Sequence, residues 1–261
     1  MKDLKYWLIL AFCLIFFWFL LTYRLTDVPP GINGDEASLG LNALLLSQDL
    51  RDETKRFLPI FISVHDGKDW KPPVSMYTTV IFFKLFGPSY FILRSVSVFI
   101  ILVSAFLLFM TIKQFMNIKL AFLGMLIFLT IPAITIQSHL ALENIALLPF
   151  VIIWIFMLIK YQETKESRYL IFSGISLGMG LYSYGSLRLM APNLAALTTF
   201  YILIKGKFLL SQKMRQLAFF TIGLLPFILF FLVIKKDYPG ALGNYNRPVI
   251  PASYQEFFLP Y

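Results

Sequence analysis

The sequence contains one cysteine, Cys13, which lies inside the first apolar run. With a single thiol, no disulfide can form within the chain and no metal site can rest on thiolates. Acidic residues are also scarce in the middle of the chain, where Glu143 is the one acid between Pro72 and Gln162. The sequence has no clear internal repeat and no low-complexity tract.

Apolar residues dominate the composition. They make up 58% of the 261 residues, and the mean hydropathy is +0.74. A soluble domain has about 45–50% apolar residues, so the sequence indicates an integral membrane protein. The formal net charge is +9, but the lysines and arginines fall in short loops between apolar runs, where they set orientation in the membrane. Membrane lipid is therefore the expected partner, and nucleic acid is not.

Apolar runs of helical length recur along the whole chain. They cover residues 6–23, 74–92, 95–112, 118–137, 145–159, 169–187, 189–204 and 216–234. Because backbone polar groups in a bilayer must be satisfied internally, each run is predicted to be a helix. The first run is an uncleaved span, since Thr22-Tyr23-Arg24 follows it in place of a small-residue cleavage site. The expected fold class is all-α, a polytopic protein with seven or eight membrane helices.

Basic residues predict the orientation of these helices. Lys2 and Lys5 place the N-terminus in the cytoplasm, and two later loops carry further cytoplasmic charges. Those charges are Lys160, Lys165, Arg168, Lys205, Lys207, Lys213 and Arg215. The loops at 24–71, 138–144 and 184–190 and the chain after 237 then face outward. If Lys113 and Lys119 are also cytoplasmic, either the run 74–86 does not cross fully or the Pro132 region dips and returns.

The predicted first outer loop, residues 24–71, holds eight of the 14 acidic residues. Asn33 to Leu46 is predicted to be a helix on the membrane surface, with Asn33 as its cap and leucines along one side. Asp35 and Glu36 then occupy its first turn. Acids favour a helix N-terminus for electrostatic reasons alone. The functional interpretation is that a carboxylate at the outer face serves as a general base.

Three further positions could carry chemistry. Lys71 is followed by Pro72-Pro73 and could hold a phosphate, or it could be an interfacial lysine before a helix. Glu143, within a long apolar tract, is either functional or a helix-end residue that reaches the interface. Arg188 lies on the predicted outer face against the positive-inside trend, which suits a phosphate or a lipid headgroup.

A metal site has little support from the sequence. His139 and Glu143 are spaced to lie one helical turn apart and could share a divalent cation. Two ligands fall short of a complete site. No certain cofactor is predicted, and a divalent cation stays an open possibility.

These elements, in this order, resemble bacterial members of glycosyltransferase family 39. The family comprises polytopic enzymes of the GT-C type, related to protein O-mannosyltransferases and to the aminoarabinose transferases of lipid A. The segments that carry the resemblance are Pro29-Pro30-Gly31, Gly34-Asp35-Glu36-Ala37, Trp70-Lys71-Pro72-Pro73-Val74, Lys84-Leu85-Phe86-Gly87 followed by Arg94, Leu142-Glu143-Asn144, and Tyr182-Ser183-Tyr184 through Arg188.

The resemblance implies a role for each matched residue. Asp35 is expected to be the catalytic base, with Glu36 in support or in contact with the acceptor. Lys71 is expected near the lipid phosphate, and Glu143 near the acceptor or a metal. Three further polar residues are expected to bind substrate as well: Asn144, Tyr184 and Arg188, the last from charge and topology alone.

The resemblance also implies an activity. The expected reaction is transfer of a hexose or pentose from a polyprenyl-phosphate donor to a glycan, lipid or protein acceptor outside the cell membrane. Aminoarabinose transferases have an acidic metal ligand before the lysine, whereas this chain has Trp70, which argues against that subfamily. The sequence has no Asp-x-Asp motif, so a nucleotide-sugar donor is not expected. Family members are usually longer, so residues 1–261 are expected to be the N-terminal transmembrane part of the enzyme.

Two other classes of protein compete with this interpretation. A transporter or flippase of a lipid-linked sugar would also need charges at the outer face, but it would predict repeated halves and broken helices at mid-membrane. A non-catalytic membrane scaffold would not need Asp35.

Overall fold

The computed structural model describes residues 2–64, 69–204, 209–234 and 236–238. Within these ranges the chain forms ten α-helices, one 3-10 helix and two short strands. The helices are α1 Lys2–Thr22, α2 Gly34–Asp49, α3 Pro73–Phe86, α4 Tyr90–Phe115, α5 Ile118–Thr130, α6 Pro132–Ser138, the 3-10 helix Glu143–Ile145, α7 Leu148–Thr164, α8 Arg168–Gly180, α9 Gly185–Ile204 and α10 Leu210–Ile234. The predicted helical class is confirmed.

An antiparallel hairpin between α2 and α3 was not predicted. Strand β1 (Ile62–Val64) pairs with strand β2 (Asp69–Lys71), and Ile62 lies opposite Lys71. Ile62 and Val64 are completely buried in a small apolar core with α2 and α3. The hairpin therefore holds Lys71 in a fixed place just before α3.

The number of long apolar helices is lower than the number of apolar runs. Five helices in the described ranges are long and apolar enough to cross a membrane, and α5 with α6, bent by 61°, would make a sixth. The run 74–92 is divided because Gly87, with a φ of +81°, ends α3 before Pro88. The run 169–187 is divided because α8 ends at Gly180 after 13 residues.

The ends of several helices meet on one face of the bundle. Arg94, near the start of α4, contacts Glu36 at the start of α2 and the carbonyl of Leu25 just after α1. Lys71, just before α3, contacts Asp35 of α2. We call this surface the site face.

The length and location of α3 bear on the question left open by the basic residues. Both ends of α3 lie near the site face, because Lys71 precedes it and α4 begins there four residues after it ends. Its 14 residues extend about 21 Å, less than the ~30 Å hydrocarbon core. A helix of this length does not span the core by itself, as the first of the two alternatives requires, and the 61° bend between α5 and α6 is the kind of break that the second requires.

Close helix contacts build the second half of the bundle. A Cβ placed on Gly174 of α8 would lie 2.3 Å from the carbonyl oxygen of Phe220, and one on Gly223 of α10 would lie 2.1 Å from that of Ile171. The two backbones can approach this closely only because both residues are glycine. The α1 helix, in contrast, leaves Leu8, Phe12 and Phe19 largely exposed, as expected of a lipid-facing surface.

Predictions that concern Asp66, Lys205, Lys207 and the segment 239–261 lie outside the described residues.

Candidate functional site

The first turn of α2 presents the two predicted acids in different surroundings. Asn33 caps the helix by accepting a hydrogen bond of 2.9 Å from the Glu36 amide, and the Glu36 carboxylate accepts one from the Asn33 amide. This capping box confirms the predicted helix start. It turns Asp35 outward, with 55% of its side chain exposed, whereas the Glu36 side chain is completely buried.

Lys71 lies between two carboxylates. Its Nζ donates a hydrogen bond of 2.7 Å to Asp35 Oδ1 and one of 3.3 Å to Glu143 Oε1. The Lys71 side chain is 3% exposed and that of Glu143 is 17% exposed, so Asp35 is the most accessible member. The structure thus brings together three predicted site residues from a surface helix, a hairpin and a 3-10 helix. We call Asp35, Lys71 and Glu143 the charged triad.

Glu36 belongs to a different cluster. Both of its oxygens bind the Arg94 guanidinium, at 2.9 Å to Nε and 3.1 Å to Nη2, and its Oε1 also accepts the Ala141 amide at 2.8 Å. With its carboxylate enclosed in this way, Glu36 cannot meet an acceptor hydroxyl in this conformation. The expected contact between Glu36 and the acceptor is therefore replaced by a structural contact with Arg94.

Arg188, in the first turn of α9, lies against two aromatic rings. The guanidinium carbon is 5.0 Å from the centroid of the Phe61 ring and 5.2 Å from that of Phe231, and Nε donates to the Leu181 carbonyl at 3.2 Å. These two rings belong to a set of five aromatic residues in mutual contact, which we call the aromatic cluster: Phe61, Trp70, Tyr182, Phe231 and Tyr238. This packing fixes the position of the Arg188 charge near the hairpin.

The aromatic cluster also holds the turn between α8 and α9. The Tyr182 hydroxyl donates a hydrogen bond of 2.9 Å to the Phe227 carbonyl. Burial raises the pKa of Tyr182 to about 12, and the nearby Arg188 charge opposes that rise. The hydroxyl therefore keeps its proton and its hydrogen bond throughout the neutral range.

Asn144 and Tyr184 are both half-buried. The Asn144 amide donates to the Gln137 side chain at 2.8 Å, while its buried carbonyl oxygen finds no hydrogen-bond partner. Tyr184 lies in the same turn as Tyr182, just before α9.

The predicted pairing of His139 with Glu143 is not found. Helix α6 ends at Ser138 and the 3-10 helix starts at Glu143, so the two residues do not share a helical face. His139 contacts Ser138 Oγ and the carbonyls of Thr135 and Tyr23 instead. Across the described part of the chain, no group of three or more His, Cys, Asp or Glu residues is placed to hold a metal ion.

Arg94 is a residue of the site to which the sequence assigned no role. It appeared only as a matched position, although a single arginine within the apolar helix Tyr90–Phe115 is itself a signal. The arginine is completely buried and makes five hydrogen bonds, and its guanidinium faces the Tyr90 ring at 4.3 Å.

Comparison with protein families identifies the relatives of this chain. Residues 70–232 match the model of the dolichyl-phosphate-mannose-protein mannosyltransferase family. The chain belongs to this family. The family carries the GT-C type of membrane fold, in agreement with the resemblance found in the sequence. No curated protein sequence matches the chain at a significant level.

Two solved structures resemble this family member. One is the crystal structure of ArnT from Cupriavidus metallidurans in the apo state, with a TM-score of 0.65 and 14% sequence identity over 96% of this chain. The other is the same protein bound to undecaprenyl phosphate, with a TM-score of 0.64 and 14% identity over 93% of this chain. The chain spans 45% and 44% of the length of those two chains. At this identity the likeness establishes a shared polytopic fold.

Proposed function

We propose that the protein is a membrane glycosyltransferase that moves a sugar from a polyprenyl-phosphate donor to an acceptor outside the cell membrane. The observation that carries the proposal is the charged triad, in which a buried lysine lies beside an exposed carboxylate on the site face. Membership of the mannosyltransferase family supports a sugar as the transferred group. The fold shared with a protein that binds undecaprenyl phosphate supports a lipid phosphate as its carrier.

The triad supplies groups for both halves of such a transfer. Asp35 takes the proton of the acceptor hydroxyl as the oxygen attacks the anomeric carbon of the sugar. The bond from that carbon to the lipid-phosphate oxygen breaks, and the electron pair stays on the phosphate. Lys71 stabilises the charge that develops there. The exposure of Asp35 suits an acceptor that arrives from water, and the burial of Lys71 suits a phosphate that arrives from the lipid.

The remaining predicted residues take supporting roles. Glu143 holds Lys71 from the side opposite Asp35 and borders the acceptor site. Arg188, held in the aromatic cluster, offers a second cation to the phosphate. Asn144 and Tyr184 line the substrate path between the charged triad and Arg188. Glu36 acts on the structure of the site and not on the acceptor.

The orientation follows from the distribution of basic residues. We place the N-terminus in the cytoplasm and the site face outside, so that the chain 24–71 forms the first extracytoplasmic loop. The alternative, a transporter or flippase of a lipid-linked sugar, receives less support because the charged triad lies at helix ends on one face.

The proposal is tested by a transfer assay in membranes that contain the protein. Wild type and Asp35→Asn are supplied with a panel of labelled polyprenyl-phosphate sugars, and labelled product is measured. Loss of a general base typically lowers the rate about 10²–10⁴-fold, so product is expected from wild type with at least one donor and is expected to fall to background in the variant. Asp27→Asn, which changes an exposed acid on the loop after α1, is the matched control.

The outcomes separate the three classes of protein. Equal transfer by wild type and Asp35→Asn would remove Asp35 from the mechanism. Movement of the labelled lipid across the membrane without transfer would support the flippase. If no donor gives either transfer or movement of lipid across the membrane, the result would support a non-catalytic role.

A further inference from the structure

The buried ion pair between Glu36 and Arg94 connects four segments of the chain. Arg94 Nη1 donates to the carbonyls of Leu25 and Pro29 at 2.9 and 3.1 Å, and Nη2 donates to the carbonyl of Gly31 at 2.9 Å. Its remaining bonds go to Glu36. The loop after α1 is thus bound to α4 through one side chain that is completely buried.

Glu36 extends the connection to the segment just before the 3-10 helix. Its Oε2 accepts the Asn33 amide at 3.3 Å, and its Oε1 accepts the Ala141 amide at 2.8 Å. In sequence, Asp35 directly precedes Glu36, and Glu143 follows Ala141 by two positions. The ion pair therefore holds the two backbone segments from which both carboxylates of the charged triad extend.

We propose that the Glu36–Arg94 pair is a positioning device that sets the separation of Asp35 and Glu143 on either side of Lys71. This proposal rests on the proposed function only for its effect on transfer, because its geometric part, the placement of Asp35 and Glu143 around Lys71, can be measured on Lys71 without any transfer assay. Neither Glu36 nor Arg94 touches the substrate in this assignment. Both act through the placement of the triad.

The chemistry of the pair favours positioning over simple stabilisation. Removing two charges from water is costly, and well-packed apolar side chains at such sites often stabilise a protein equally well. What apolar side chains cannot supply is a fixed set of directional hydrogen bonds. Here the bidentate geometry, three carbonyl acceptors and two amide donors leave the pair a single arrangement.

Glu36→Asp is the variant that separates the two parts of the device. The shorter side chain keeps a negative charge beside Arg94 but retracts the carboxylate from the Ala141 amide. The ion pair and the fold are expected to persist, while the segment that carries Glu143 is released from α2. Glu36→Gln and Arg94→Lys provide two independent changes of the same contact.

Chemical labelling of Lys71 measures the effect without any assay of transfer. The purified protein is exposed to limiting acetic anhydride, and acetylation of Lys71 is quantified by mass spectrometry against that of the exposed Lys84. In wild type, labelling of Lys71 is expected to be slow because the side chain is buried between two carboxylates. In Glu36→Asp it is expected to rise about tenfold, as local opening becomes easier.

Two controls show whether the effect is specific. Glu166→Asp alters an exposed ion pair with Arg168 and is expected to leave Lys71 labelling unchanged. Gly174→Ala disturbs the contact between α8 and α10, so it loosens the bundle away from the pair. If Gly174→Ala raised Lys71 labelling as much as Glu36→Asp, the pair would have no special role in positioning.

Transfer kinetics provide the second measurement once a donor is known. Misplacement of the triad is expected to lower kcat about tenfold in Glu36→Asp with KM for the donor changed less than about threefold. If wild type transfers no sugar, the proposed function fails, but the labelling result still decides the positioning role.

The proposal is overturned by either of two results. The first is that Glu36→Asp, Glu36→Gln and Arg94→Lys all fold and that Lys71 is labelled in each of them at the wild-type rate. The second is failure of all three variants to fold, because the pair would then act in stability and not in positioning.

Discussion

The Lys71 ammonium lies 2.7 Å from the Asp35 carboxylate, although 36 positions separate the two residues. The contact joins the first turn of a surface helix to the last residue of a short hairpin. Glu143, 72 positions beyond Lys71, completes the arrangement at 3.3 Å. A buried lysine held by two carboxylates from distant segments is a costly arrangement, so stability alone does not account for it.

On the proposed function, replacement of Lys71 by glutamine is expected to weaken binding of a polyprenyl phosphate, for which undecaprenyl phosphate is the probe. Hydrogen bonds to charged groups contribute about 1.5–3 kcal/mol, so the dissociation constant should rise roughly 10–150-fold. The measurement is a titration of the purified protein in lipid nanodiscs. Lys84→Gln, which alters an exposed lysine near the end of α3, should bind like wild type. Equal binding by Lys71→Gln and wild type would remove Lys71 from the phosphate site.

Replacement of Glu143 by glutamine is expected to have the opposite effect on binding. The amide oxygen can still accept the Lys71 hydrogen bond, but one negative charge beside the phosphate site is lost. A partly exposed charge pair is worth about 0.2–1 kcal/mol, so affinity for undecaprenyl phosphate should increase by up to about fivefold. The same titration, repeated with EDTA and with Mg²⁺, measures it. If Glu143→Gln bound undecaprenyl phosphate more weakly than wild type with Mg²⁺ but not with EDTA, Glu143 would instead be assigned as a ligand of the cation.

The sequence predicts the parts of this site better than it predicts how they assemble. The cap at Asn33 and the start of α2 follow from local chemistry, and the structure has both. The enclosure of the Glu36 carboxylate also involves Arg94, which lies 58 positions beyond Glu36. No local pattern contains a contact of that range, so only the family resemblance gave the two acids different roles before the structure was known.

The errors in the fold have similar physical causes. The apolar run predicted a helix across residues 74–92, but α3 ends at Phe86, before Gly87 with its positive φ. The hairpin was missed because each strand has three residues, too few for a pattern of alternation. Its stability comes from the packing of Ile62 and Val64 beneath α2 and α3.

Substitution of Gly174 by alanine is expected to destabilise the second half of the bundle. The new methyl group would lie 2.3 Å from the Phe220 carbonyl oxygen and 2.9 Å from the Leu224 amide nitrogen, and backbone cannot yield as a side chain can. Overpacking of this kind costs about 1–3 kcal/mol. The thermal unfolding temperature in detergent should fall accordingly. Gly34→Ala is the control, because nothing lies within 4 Å of its Cβ, and an equal loss in both variants would contradict the assignment.

Replacement of Arg188 by lysine separates its two expected contributions. The guanidinium lies over Phe61 and Phe231, and such contacts contribute about 0.5–2 kcal/mol. Lysine keeps the positive charge but loses the planar group and its bond to the Leu181 carbonyl. If Arg188 binds the donor phosphate, Arg188→Lys should bind undecaprenyl phosphate about tenfold more weakly and unfold at a lower temperature. Arg51→Lys is the matched control, since Arg51 also lies over an aromatic ring, that of Phe57, but at an exposed position. A lower unfolding temperature with unchanged affinity would give Arg188 a structural role in the aromatic cluster and leave Lys71 as the cation that meets the phosphate.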